Sequence, residues 1–139
     1  MDKEIFYKLF ELSKEAARNN EVPISAALVC DGKIVASAYN KRNISNNVFD
    51  HSEIIVISEY AKKIDNWHLN NCDLYVMIEP CDMCKLFIKE SRIRNVYYLL
   101  DKPSYKKMYS KTNFINCNDY NELINEYKNI IDLFWKNKR

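Results

Sequence analysis

Leu74-Tyr75-Val76-Met77-Ile78-Glu79-Pro80-Cys81-Asp82-Met83-Cys84 joins the end of a strand to the start of a helix. The apolar run from Asp73 to Ile78 is of strand type and closes at Glu79-Pro80, and Cys81 to Ser91 has the pattern of a helix. Cys81 and Cys84, three apart, then project from one face of a first helical turn. A helix N-terminus carries partial positive charge and unpaired N–H groups, which favour the thiolate form that binds metal.

A second short stretch, His51-Ser52-Glu53, also stands where a loop becomes a helix. His51 can supply a neutral imidazole nitrogen as a third ligand. Three protein ligands leave one tetrahedral zinc position open for water, the catalytic arrangement; a structural site fills all four. Glu53, two residues after the histidine, falls close to that open position without being a ligand. A carboxylate there can accept a proton and return it to a substrate. A lone C-x-x-C or a lone H-x-E says little. Cys30, Cys72, Cys117 and His68 show no paired ligand spacing that would complete a structural site, and the three cysteines are expected to be ordinary small core or surface residues.

Working outward, Lys3 to Asn19 carries Phe6, Leu9, Phe10, Ser13, Ala16 and Ala17 at helical spacing, with Asp2 as its cap. Pro23 breaks the pattern. Ile24 to Cys30 and Lys33 to Tyr39 form two strands around Asp31-Gly32, a strong hairpin signal. Asn40 to Asp50 is a polar loop. His51 to Lys63 is in helical register at Ile54, Ile55, Ile57, Ser58 and Ala61 despite its β-branched residues. Val96 to Leu100 is a further buried strand, and Lys102 to Asn118 is irregular and basic. Tyr120 to Lys138 is an amphipathic helix with Leu123, Ile124, Tyr127, Ile130, Ile131 and Phe134 on one stripe. Alternating helices and strands imply a layered α/β domain, and no repeat or Pro/Gly-rich linker divides residues 1–139.

Composition narrows the class. With 139 residues, 47% apolar and 13% aromatic, the chain can fill one core and is not disordered. No apolar run approaches the roughly 20 residues that cross a bilayer, so no membrane role is expected. The acidic, polar opening Met1-Asp2-Lys3-Glu4 lacks secretory features. Five cysteines are an odd number, which here argues against a disulfide framework and for a reducing cytosol. The net charge of +2 neither demands nor forbids a polyanionic partner. The single glycine, Gly32, and the abundance of asparagine have no evident physical reason in the sequence.

H-x-E followed by P-C-x-x-C is a signature of zinc nucleobase deaminases. On these residues the chain resembles the cytidine deaminase-like superfamily, and within it the tRNA adenosine deaminases that make inosine at the anticodon wobble position. The resemblance runs from about Glu21 to Asp101 and includes Glu21-Val22-Pro23, Asn40 and Ser91-Arg92-Ile93-Arg94-Asn95-Val96. It implies a three-layer α/β/α fold with a mixed five-stranded sheet, usually a homodimer, in the cytoplasm. His51, Cys81 and Cys84 would hold Zn2+, and Glu53 would shuttle the proton. Asn40 and Asp101 would lie against the target nucleotide, and backbone N–H groups of Ser52 and Cys81 would orient it. Hydrolytic deamination needs no organic cofactor.

Four positions depart from the family pattern: Ser25 stands at a usual glycine, Ser52 at a usual alanine, Val48-Phe49-Asp50 precedes the histidine, and Lys102-Pro103-Ser104-Tyr105-Lys106-Lys107 follows Asp101. Lys102, Lys106, Lys107 and Lys111 interleave with Tyr105 and Tyr109, and the chain ends Phe134-Trp135-Lys136-Asn137-Lys138-Arg139. Lysines neutralise phosphate and aromatics stack on unpaired bases, so these lysines, Trp135, Lys136 and Arg139 are candidate contacts to a tRNA anticodon loop. A solvated face explains the lysine loop and Trp135 equally well, and Phe134 fits the core stripe. Two other functions remain open: deamination of a free base or nucleoside of guanine or cytosine type, and a non-catalytic zinc-containing RNA-binding subunit.

Overall fold

Alternate side chains of a strand point to opposite faces, and in this protein both faces are covered. In the computed structural model, which describes residues 2–102 and 112–137, β1 (Ser25–Cys30) is buried along its whole length. It sends Ala26, Leu28 and Cys30 to one core and Ala27 and Val29 to another. β3 (Cys72–Ile78) divides in the same way, with Leu74 and Val76 on the first side and Tyr75 and Met77 on the second. β2 (Lys33–Tyr39), β4 (Asn95–Leu100) and β5 (Asn113–Asn116) complete a sheet of order β2-β1-β3-β4-β5. β1 runs antiparallel to β2 and β3, while β3, β4 and β5 are parallel, so the sheet is mixed.

Helices α3 (Ser52–Lys63) and α4 (Asp82–Glu90) cover the first face through Val56, Ile57, Cys84 and Ile88. Helices α1 (Asp2–Arg18) and α5 (Asn121–Asn137) cover the second through Phe6, Leu9, Leu123 and Tyr127. This is the expected three-layer α/β/α architecture. Each large apolar side chain removed from water contributes roughly 1.5–3 kcal/mol, and that tertiary gain explains why the β-branched segment after His51 is helical. Its Val56 and Ile57 face the sheet.

Several local expectations need correction. Asp2 is the first residue of α1, and its carboxylate accepts the Tyr75 hydroxyl at 2.5 Å. The loop from Asn40 to Asp50 contains a short helix, α2 (Arg42–Ser45). The segment Lys102 to Asn118 contains β5, whose Asn-Phe-Ile-Asn sequence is too short and polar to signal a strand; pairing with β4 makes it one. Cys30 and Cys72 face each other across β1 and β3 and form a disulfide, so two of the cysteines expected to need no pairing are joined.

Two features of composition acquire a physical role. Asp31 and Gly32 both take positive φ, the geometry of a tight hairpin turn between β1 and β2. Asn20, Asn46 and Asp65 also stand in the left-handed region, where Asn and Asp are tolerated better than other side chains. Asparagine and aspartate thus close turns in a chain that has one glycine. Ser25 is fully buried, and its hydroxyl donates to the Leu9 carbonyl at 2.6 Å. That leaves Ser13 to donate to Ser25 Oγ at 2.8 Å, bonding α1 to β1.

Candidate active site

The loop-to-helix transitions read in the sequence are capping positions. His51 is the N-cap of α3 and Cys81 the N-cap of α4, both with extended backbone. Their carbonyls accept the first helical hydrogen bonds, from Ile55 at 3.0 Å and Lys85 at 2.9 Å. Neither side chain caps its own helix. Both instead turn toward each other, and Cys84 joins them one turn into α4.

His51 Nδ1 lies 3.8 Å from Cys81 Sγ and 3.4 Å from Cys84 Sγ. The three donor atoms fall within 4.8 Å of one another, the only such group of three among the described residues that could hold a metal. A tetrahedral zinc with N and S bonds of about 2.0 and 2.3 Å has N···S edges of about 3.6 Å. The two distances bracket that value, and one imidazole with two thiols is a donor set suited to zinc. The residues fit the ion.

The charges in the cluster are arranged for it. The Cys84 thiol donates toward Cys81 and, opposed by burial and assisted by His51, pushes the Cys81 thiol down to about 3. The same contact, with burial and the Glu53 carboxylate, drives Cys84 up. The hydrogen bond to Cys81 raises His51, against burial and with help from the Glu53 and Cys81 charges.

Glu53 is 4% exposed in the first turn of α3. Burial lifts its carboxyl above the ordinary carboxylate range, opposed by its own backbone N–H and by Ser52. The Ser52 hydroxyl donates to Glu53 Oε1 at 2.9 Å. Ser52 is fully buried, so its side chain orients Glu53, and its expected place against the nucleotide is left to the backbone N–H.

A cavity of about 380 Å³ opens beside these groups, within the range that accepts small ligands. His51, Glu53, Cys81, Asn40, Lys102 and Trp135 line it. Asn40 is buried, and its Oδ1 has no hydrogen-bond partner among the described residues. A buried acceptor left unpaired costs about 1–3 kcal/mol, a cost that any donor entering the cavity would remove. Lys102 is exposed at the rim, and Trp135 is half exposed. Phe134 is buried beside Trp135, edge-on at 5.2 Å, as the core stripe requires.

Asp101 is not brought into the cavity. It is exposed, and its Oδ1 accepts from Asn116 Nδ2 at 2.8 Å. Lys136 is exposed on α5 outside the lining. Lys106, Lys107, Lys111 and Arg139 lie outside the described residues.

The sequence reading did not single out Val22, Ile24, Arg42, Ile78 or Glu79 as walls of the cavity. Glu79 and Lys85 form a buried ion pair at 2.6 Å, and Glu79 Oε1 also accepts the Lys102 backbone N–H at 3.3 Å. A glutamate ending an apolar strand beside a proline was the available signal for Glu79. Ile131 also lines the cavity, though its spacing on α5 marked it only as core.

Residues 1–100 match the family model for the cytidine and deoxycytidylate deaminase zinc-binding region. The chain belongs to this deaminase family. The deaminase domain is 40% identical over 86 residues to a tRNA-specific adenosine deaminase of Bacillus subtilis, covering 62% of this chain and 53% of that protein. It thus spans about half the length of that relative. It is 37% identical over 131 residues to the protein of the same name from Buchnera aphidicola, covering 89% of this chain and 87% of that one. A solved structure from a study of tRNA:A34 deaminases that edit A to I at the wobble position superposes with a TM-score of 0.75 at 30% identity, over 84% of this chain and 99% of the other. Among the described residues, no helix of the domain is long and apolar enough to cross a membrane.

Proposed function

We propose that residues 1–139 form a single hydrolytic deaminase domain that converts adenosine to inosine at the wobble position of a tRNA anticodon loop. The observation that carries the reading is the convergence of His51, Cys81 and Cys84 beside buried Glu53, at the wall of a cavity that also holds the unpaired Asn40 Oδ1. The tRNA-specific names of the relatives supply the substrate class.

His51 Nδ1 and the sulfurs of Cys81 and Cys84 are the ligands for zinc. When bound there, zinc supplies Lewis acidity that makes water a competent nucleophile near neutral pH. Glu53 takes a proton from the attacking water and delivers it to N1 of the purine, then moves the second proton to the departing amine. Adenosine and water thereby become inosine and ammonia. A buried carboxyl with a raised pKa suits both halves of that transfer, and the Ser52 hydroxyl fixes which oxygen is free to make it. Asn40 Oδ1 accepts a hydrogen bond from the bound nucleotide. Lys102 meets a flanking phosphate, and Trp135 offers a face to a neighbouring base.

A cytoplasmic homodimer belongs to this reading; the tRNA-specific names of the relatives support the compartment, and the cysteines do not, since Cys30 and Cys72 are joined. The exposed Ile44, Val48 and Phe49, all in the loop beside the cavity, supply apolar surface for a second copy. The deciding experiment is incubation with unmodified tRNA followed by sequencing of the product. Inosine at the wobble position is expected. Its absence at saturating enzyme, with ammonia released from free bases or nucleosides instead, would replace the substrate and keep the chemistry.

A further inference from the structure

Helix α2 presents an anchoring problem that packing does not solve. It has four residues, none of them buried, and residues 42–49 are all exposed. Its N-cap is Lys41, whose side chain is a donor and makes no capping hydrogen bond. Yet α2 begins two residues after Asn40, and its first residue, Arg42, lines the cavity. Something other than hydrophobic burial must fix its position.

Glu21 does so from across the chain. Its carboxylate is fully buried. Oε1 accepts the Asn43 N–H at 2.9 Å and Oε2 the Ile44 N–H at 2.5 Å. These are the second and third residues of α2, the N–H groups that a local cap would have satisfied. Asn43 Nδ2 adds a bond to the Asn20 carbonyl at 3.0 Å. The anchor is itself held by the end of α1. Asn20 takes left-handed φ, Glu21 N–H bonds to Ala16 C=O and Asn20 N–H to Ala17 C=O, the 6→1 and 5→2 pattern of a Schellman motif. Glu21 is followed by Val22-Pro23-Ile24, and Val22 and Ile24 line the same cavity.

We propose that Glu21 is a positioning residue for the substrate pocket: its carboxylate clamps the start of α2 and so sets Arg42 against the Val22–Ile24 wall, beside Asn40, whose own N–H bonds to the Ile24 carbonyl at 2.8 Å. The inference rests on the deaminase reading of the pocket for its consequence, although the clamp itself does not. Glu21 touches no reacting atom and acts only through the loop. An uncompensated carboxylate would not be buried there without such a role for its oxygens.

The test uses the zinc-loaded full chain. Amide hydrogen exchange is read by NMR in the unsubstituted protein and in Glu21→Gln, which replaces one acceptor by an NH2 group facing a backbone N–H. In the unsubstituted protein the Asn43 and Ile44 amides should exchange at least tenfold more slowly than that of exposed Val48. In Glu21→Gln that protection should fall tenfold or more. KM for an anticodon stem-loop RNA should rise at least fivefold, with kcat changed less than twofold and zinc content unchanged. Glu21→Asp, which keeps the charge and shortens the reach, should lie between the two. Equal exchange rates at Asn43, Ile44 and Val48 in the unsubstituted protein would overturn the proposal, whether or not any variant folds. So would an unchanged KM in Glu21→Gln, or a parallel loss of kcat and zinc. If the unsubstituted protein leaves the stem-loop unreacted, the tRNA reading fails, and the exchange comparison still decides the clamp.

Discussion

His51 and Cys81 are the N-cap residues of two different helices, and each directs its side chain away from its own helix end toward the other, Nδ1 to Sγ 3.8 Å. The candidate metal-binding group thus lies at the junction of two helix N-termini, where partial positive charge favours thiolate. Cys84, completely buried at the start of α4, ties that junction to the core. Cys84→Ala should therefore lose zinc and stability together, because binding free energy is coupled to folding. Metal content by atomic absorption and a thermal melt check it. Chelation of the unsubstituted protein should lower Tm in the same direction, and an unchanged Tm would refute the coupling.

In the metal-free protein, Cys81 stays ionised far below the range of a free thiol, since its pKa is pushed down to about 3. The sign is fixed: a lowered pKa leaves the thiolate populated at every pH above it. Alkylation of Cys81 by iodoacetamide should then be nearly flat from pH 5 to 8, whereas an ordinary thiol speeds up about tenfold per unit below its pKa. Peptide mass mapping reads the rate, and added zinc should suppress it.

Glu53 and Ser52 separate chemistry from orientation. Glu53→Ala should lower kcat by at least about a hundredfold while zinc remains stoichiometric, since general acid–base groups contribute roughly 10²–10⁴-fold. Ser52→Ala removes only the 2.9 Å hydrogen bond to Oε1. One such bond is worth about 1 kcal/mol, so a loss of less than about tenfold in kcat/KM is expected. Steady-state kinetics on the same RNA distinguishes the two, and equal losses would show that Ser52 does more than orient.

The metal-site and catalytic candidates stood close together in the sequence, and this is why they were legible there. Cys81 and Cys84 are three apart, so local helix geometry predicts the face they share, and His51 and Glu53 are two apart at one loop-to-helix junction, so chain proximity alone keeps them near each other. Four strands were legible for the same reason. β5 was not, because Phe114 and Ile115 gain their strand character only by pairing with Val96 and Tyr97 of β4. Glu21 and Asn43 are 22 apart, and Cys30 and Cys72 are 42 apart. Such pairs become neighbours through the register of β1 against β3 and through the end of α1, which residue spacing does not encode. The partner of Asp101 was illegible for a related reason: β5, the unread strand, supplies the Asn116 whose Nδ2 donates to its carboxylate.

The Cys30–Cys72 disulfide closes a long loop, and its effect on stability follows from the 42-residue separation. The chain-entropy relation gives a contribution of up to about 4 kcal/mol for such a loop. Reduction with dithiothreitol, or Cys72→Ser, should lower the Tm, and intact mass without reductant should be about 2 Da below the reduced value. The mass difference is decisive, since two free thiols would show none.

Tyr127 links the C-terminal helix to the cavity wall. It is fully buried, and its hydroxyl donates to the Pro23 carbonyl at 2.7 Å, across 104 residues. Pro23 stands between Val22 and Ile24, both of which line the cavity, while α5 brings Ile131 and Trp135 to it from the other side. Tyr127→Phe keeps the ring packing and leaves a buried carbonyl unpaired, a cost of about 1–3 kcal/mol. In a domain of this size, that corresponds to a drop in Tm of roughly 3–10 °C. Trp135→Ala should leave Tm almost unchanged, because Trp135 is half exposed, but should weaken binding of an anticodon stem-loop by the roughly 1–3 kcal/mol of one base–aromatic stack. Thermal melts and fluorescence anisotropy on the two variants separate a residue that holds the wall in place from one that receives the substrate. If Trp135→Ala binds the RNA normally, the indole belongs to the solvated face of α5 and plays no part in recognition.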